Sequence, residues 1–265
     1  MRVITGADFY IGIAICGGRV WALICACVAM TTFALQCAAA PAPTSMKSAG
    51  VYVVGALHSL HEQQQSFDYK TLRRMIEAID PDVLVLEVRP DELKDFKETP
   101  GRPEYPRAIW PLLRTSPIKS VAMEPGGAEF ERLVEQVSRA FDAFEQRDPR
   151  QFEWWSSYQS SLSSALQRYW RKPADTQDRV TEDLARSYYL TQYGVVGSEL
   201  RNVQERWDGY MVALARETVR AHSGKKVLIL SSYRNRHRFV DAIREDAPDR
   251  LVDMQKWLRE MENRL

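Results

Sequence analysis

The chain has 265 residues, with 36 Lys+Arg against 35 Asp+Glu and a formal net charge of +1. That balance excludes a strongly basic nucleic-acid binder and an acidic disordered tail, while 45% hydrophobic and 27% charged residues are ordinary for a globular chain. All four cysteines (Cys16, Cys25, Cys27 and Cys37) fall before residue 41, so the rest of the chain has neither a disulfide framework nor a thiolate-ligated zinc site.

Residues 1–40 carry the three parts of an export signal: Arg19, an apolar run from Val20 onward, and Ala38-Ala39-Ala40 before a Pro-containing linker over 41–49. About twenty mostly apolar residues also suffice to span a bilayer, so an uncleaved anchor is the alternative. Cys37, in Ala34-Leu35-Gln36-Cys37, loosely resembles a lipoprotein box and is the candidate for lipid attachment. A start at Met46 would remove the signal altogether. The expected location is periplasmic, or anchored on the outer side of the inner membrane with the N-terminal segment as the membrane contact. Cleavage leaves a thiol-free body that tolerates an oxidising compartment without mispairing.

Residues 50–265 read as one α/β domain, a mostly parallel sheet flanked by helices with a long helical insert over about 128–222. Val51-Tyr-Val-Val, Val83-Leu-Val-Leu-Glu-Val, Ile118-Lys-Ser-Val-Ala-Met and Lys226-Val-Leu-Ile-Leu-Ser are apolar nearly throughout, which suits strands covered on both faces. Between the first two, Leu72, Met75, Ile76 and Ile79 recur at helical spacing over Tyr69 to Ile79, and Asp80-Pro81-Asp82 ends that helix. Phe130, Leu133, Val134, Val137, Phe141 and Phe144 form a second stripe, and Asp148-Pro149 reads as a cap followed by Pro at the first helical position. Leu251, Met254, Leu258, Met261 and Leu265 mark a final amphipathic helix. Within the insert, Phe152, Trp154, Trp155, Tyr158, Tyr169 and Trp170 crowd together; interhelical packing is the prevalent role for such a cluster, and an aromatic wall over the sheet edge is the alternative.

Open parallel sheets bind ligands beyond the carboxyl ends of their strands. Those ends deliver His58 with His61 and Glu62, Glu87 followed by Arg89, Glu124, and Arg234 with His237. Histidine and carboxylate together are the ligand set of a hydrolytic divalent metal with one position open to water. His58, Glu87, Glu124 and His237 are therefore the candidate metal ligands, with His58, Glu87 and Arg89 the candidate catalytic groups. Plainer roles stand beside these: His61 and Glu62 as loop polar groups, Glu124 as a capping acid. Glu87 in an apolar strand needs a partner, Arg89 or another base, because burying it unpaired costs about several kcal/mol. Neither His-Glu-x-x-His, His-x-x-Glu-His nor Gly-x-Ser-x-Gly occurs.

Gly55-Ala-Leu-His58 after a first strand, followed by a strand carrying Glu87, resembles the TraB/GumN/Tiki group within the erythromycin-esterase/ChaN-like superfamily. Glu205-Arg206-Trp207-Asp208-Gly-Tyr-Met211 is similar to the family's late-helix Arg-Asn or Arg-Asp pair, which makes Arg206 and Asp208 supporting candidates along with His61, Glu62 and Arg234. Where the family has a second Gly-x-x-His, this chain has Arg234-Asn-Arg-His237, with arginine replacing the glycine. The Tiki branch implies a metal-dependent peptidase, the ChaN branch haem or iron binding, and the esterase branch histidine-assisted hydrolysis without a tightly held metal. The resulting expectation is an exported hydrolase acting on a peptide or small-molecule ester. Its alternative is a non-catalytic envelope binding protein for haem or another small ligand.

Overall fold

The computed structural model describes residues 49–262; the expected export signal over residues 1–40 and Cys37 within it lie outside the described residues, as does Leu265. Four parallel strands, β1 (Val51–Ala56), β2 (Val83–Leu86), β3 (Lys119–Ala122) and β4 (Val227–Ser232), form one sheet in the order β1-β4-β2-β3. The α/β architecture expected from the four apolar runs is the one observed. Successive residues point to opposite faces, so Tyr52, Val54, Leu84, Leu86, Leu228 and Leu230 enter one apolar core and Val51, Val53, Val85, Val227 and Ile229 another. β3 departs from the expectation of strands covered on both faces. It is an outer strand paired only with β2, and its residues are exposed or half-buried.

β1 is also an outer strand, yet all six of its residues are buried. Its open side is covered in two ways. Val252 N–H donates to Val51 O at 2.9 Å, and the Gln177 amide both accepts from Gly55 N–H and donates to Gly55 O, at 2.8 and 2.9 Å. A side-chain amide thus satisfies the strand edge as a neighbouring strand would. Gly55 is required at this spot: a Cβ would lie 2.7 Å from the Tyr233 backbone.

α1 (Tyr69–Ile79) begins on Asp68, whose side chain accepts from Thr71 N–H, and ends on Asp80 in the left-handed conformation. Two short helices, α2 (Pro90–Asp95) and α3 (Trp110–Leu113), separate β2 from β3. Four long helices make the insert: α4 (Gly127–Arg147), α5 (Pro149–Tyr169), α6 (Arg179–Val196) and α7 (Ser198–Ala221). Asp148 caps α5 through Gln151 N–H at 3.0 Å, with Pro149 at the first helical position as its sequence indicates. Trp155, Tyr188 and Phe144 build the insert's own core, and Trp154, Tyr169 and Tyr210 are exposed, so most of the aromatic cluster is packing. α8 (Arg236–Asp246) and α9 (Met254–Met261) complete the chain. No helix among the described residues is long and apolar enough to cross a membrane.

α1 follows β1 into one core, whereas α8 follows the neighbouring β4 into the other. Adjacent strands whose helices diverge to opposite faces mark where open α/β sheets take ligands; His58 follows β1 there and Asn235 follows β4.

Candidate active site at the carboxyl edge

His58 follows β1 with φ +54°, a left-handed backbone that costs a non-glycine residue roughly 1–3 kcal/mol. Its buried ring donates from Nδ1 to Glu104 Oε1 at 2.6 Å. Burial alone would raise the Glu104 pKa, but the close contact with His58 prevails and holds it below the ordinary carboxylate range.

His61 sits one turn further and serves its own loop. Its Nε2 accepts from Leu57 N–H at 2.9 Å and its Nδ1 donates to Phe67 O at 2.5 Å, which fixes a neutral tautomer. Burial, opposed by Glu104, lowers its pKa to about 4. Glu62 lies on the surface, 2.8 Å from Arg107.

Glu87 extends β2 by one residue and ties it to β4. Its Oε2 accepts from Ser232 N–H at 2.7 Å and its Oε1 from Asn235 Nδ2 at 3.1 Å. The base that neutralises it is Arg102, 3.5 Å away, rather than Arg89. Arg102 also bonds the Glu87 carbonyl and, at 2.6 Å, Glu124 Oε1 beyond β3. Desolvation raises the Glu124 pKa even against Arg102. Arg89 points elsewhere: it pairs with Glu92 at 3.0 Å and lies 4.7 Å over the Phe130 ring.

Asn235, not His237, is therefore the side chain beyond β4 that bonds Glu87. Asn235 Oδ1 in turn accepts from Tyr189 Oη of α6 at 2.5 Å. His237 is buried in the first turn of α8, beside the Tyr189 ring at 6.1 Å. Desolvation, with Arg238 and Arg186 adding to it, lowers its pKa to about 3. Asp208 of α7 pairs with Arg238 at 2.9 Å; burial raises its pKa to about 6, and the nearby Glu87 charge adds to that. Arg206 is exposed and bonds Gln136. Arg234 is buried among tyrosines.

The residues missing from the sequence-derived set are Arg102 and Glu104, Asn235 and Tyr189. The first two share one loop, Glu98-Thr-Pro-Gly-Arg102-Pro-Glu104, laid across the strand ends so that Arg102 holds β2 and β3 and Glu104 holds β1. Its Pro-Gly-rich composition marked a loop between two strands, which was the available signal.

The donors present do not fit a bound divalent ion. Among the described residues no three His, Cys, Asp or Glu side chains converge as ligands, and Glu87 and Glu124 both bond to Arg102. A larger cleft of about 700 Å³ lies between α6, α8 and the start of α9. Arg179, Glu182, Arg186, Arg236 and Asp253 charge its walls, unlike the apolar slot that a haem would need.

Together these features define an open α/β protein whose carboxyl edge carries a buried His–Glu pair beside an arginine-bridged pair of carboxylates. No protein-family model, curated protein or solved structure matches the chain significantly. The likeness to the TraB/GumN/Tiki group thus rests on the sequence motifs themselves.

Proposed function

We propose that the protein is an exported hydrolase of peptide or small ester bonds, with His58 as general base and Glu104 as the residue that orients it. The observation that supports this most is the 2.6 Å Nδ1–Glu104 contact made by a strained, buried histidine at the carboxyl end of a parallel strand. With the proton on Nδ1, the ring's lone pair is on Nε2. There it takes a proton from water as the water oxygen attacks the acyl carbon, then returns that proton to the leaving group. Glu104, held anionic, stabilises the imidazolium formed between the two transfers. This is the esterase-like variant of the family resemblance, and no step passes through a metal.

The test is turnover of p-nitrophenyl esters and fluorogenic peptides by the purified chain, with and without EDTA. His58→Gln is expected to lower kcat by roughly 10²–10⁴-fold, and Glu104→Gln by roughly 10²-fold or more, with both variants folded. Wild-type rates in His58→Gln, or no turnover of any substrate, defeat the proposal. EDTA-sensitive activity restored by zinc or manganese would return a metal to the site.

One observation favours the non-catalytic alternative: Arg102 closes Glu87 and Glu124 against each other, as in an edge built for packing. That reading expects saturable ligand binding with no turnover in the same assays.

A further inference from the structure

Arg234 follows Tyr233 at the end of β4, and its side chain is buried. Its Nε donates to Tyr233 Oη at 3.0 Å, and its guanidinium carbon lies 4.4 Å from the Tyr188 ring centre. The groups acting on it most strongly are Tyr233, Tyr188 and Tyr189, none of them a carboxylate. Among the described residues Arg234 forms no ion pair. The other two buried arginines at this end of the sheet differ: Arg102 faces Glu87 and Glu124, and Arg236 faces Glu182. A desolvated guanidinium without an anion costs about several kcal/mol, of which aromatic faces return roughly 2 kcal/mol.

The uncompensated cation lines a cavity of about 40 Å³ among α4, α6 and α7, together with Val137, Phe141, Gln192 and Trp207. Gln192 and Gln204 are the other side chains with amide groups on its wall. A single water needs roughly 10–15 Å³ of such volume, so the space of about 40 Å³ holds roughly three or four water-sized groups. That matches a carboxylate head with its first carbon.

We propose that Arg234 binds the carboxylate of a short organic acid the size of acetate, whose methyl group lies against Val137 and Phe141. One planar monocation in a cavity with no carboxylate on its wall suits a planar monoanion that accepts a forked pair of hydrogen bonds. A phosphate dianion would leave a negative charge uncompensated among aromatic rings. The site goes beyond hydrolysis at His58 and stands without it.

The experiment is calorimetric titration of the full chain with acetate and propionate, with acetamide and propionamide as neutral controls. Saturable binding of at least one acid, with the matched neutral compound failing, is expected. Arg234→Met should weaken that binding by roughly tenfold or more while leaving the melting temperature unchanged or raised, because it removes an unpaired buried charge. If Arg234→Met does not fold, Arg234→Lys carries the test, since it keeps the charge but loses the forked donor pair and should also weaken binding. Absence of binding by every acid overturns the site, as does equal binding of the neutral controls or wild-type affinity in the variants.

Discussion

Arg102 and Arg234 are both buried at the carboxyl edge of one sheet, yet their surroundings are opposite. Arg102 has carboxylates on two sides, Glu87 and Glu124, and a backbone carbonyl besides. Arg234 has Tyr233 and Tyr188 against its guanidinium and a cavity in front. The first region is a closed knot whose charges cancel within the protein. The second has a charge that nothing in the described chain cancels. The contrast separates residues that hold the edge together from a residue poised toward something outside it. Arginine content alone would not have made that distinction.

The largest effect should come from opening the knot. Arg102→Met leaves two desolvated carboxylates facing each other, and removal of one partner from a buried charge set costs about 3–5 kcal/mol. Urea unfolding near neutral pH should show that loss, whereas Arg234→Met should cost little or nothing. Adding Glu124→Gln to Arg102→Met should recover part of the loss, since one unpaired charge is gone. If Arg102→Met and Arg234→Met prove equally costly, the distinction between the two regions collapses.

Much of the scaffold was legible beforehand, because strands buried on both faces are written as unbroken apolar runs and helices as 3.6-residue stripes. The helix over Tyr69–Ile79 and the Asp148-Pro149 cap are local signals, and both elements formed there. The site was only half legible. His58, Glu87 and Glu124 were readable because each follows or interrupts an apolar run. Arg102 and Glu104 sit in an aperiodic loop, where a buried charge and a solvated one look the same in sequence. Asn235 reaches Glu87 where His237 was the candidate, since α8 begins at Arg236 and carries His237 onto the helix, beside Tyr189. β3 looked like a buried strand because its apolar letters do not record that it has a neighbour on one side alone.

A smaller effect should distinguish the two regions by pH. Asp208, beside the cavity wall, has its pKa raised to about 6 from 3.8, so the folded state binds its proton more tightly than the unfolded chain does. Its contribution is present below about pH 4 and lost as pH rises through about 6, which amounts to about 1–3 kcal/mol. His237 works with the opposite sign. Its pKa is lowered to about 3, so stability is lost as pH falls from about 6.5 toward 3. His61, lowered to about 4, acts in the same direction. Asp208→Asn should therefore steepen the acid-side loss of stability between pH 6 and 4, and His237→Gln should flatten it. Parallel stability curves for wild type and Asp208→Asn would mean that the buried carboxyl does not couple to folding.

The smallest predicted effect asks whether the two regions communicate. Tyr189 joins them: its ring lines the cavity beside Arg234, and its hydroxyl donates to Asn235, which donates to Glu87 in the knot. Tyr189→Phe removes one buried hydrogen bond and should cost about 1 kcal/mol. The informative quantity is its coupling to Glu87→Gln in a double-mutant cycle of unfolding free energies. Asn235 has one carboxamide to orient, and both neighbours fix the same orientation, with Oδ1 toward Tyr189 and Nδ2 toward Glu87. Removing either partner loosens the amide for the other, so the two losses should fall short of additivity by about 0.5 kcal/mol or more. Additivity within about 0.3 kcal/mol would instead mean that the amide is held by its surroundings, leaving the cavity and the knot as neighbours without a shared state.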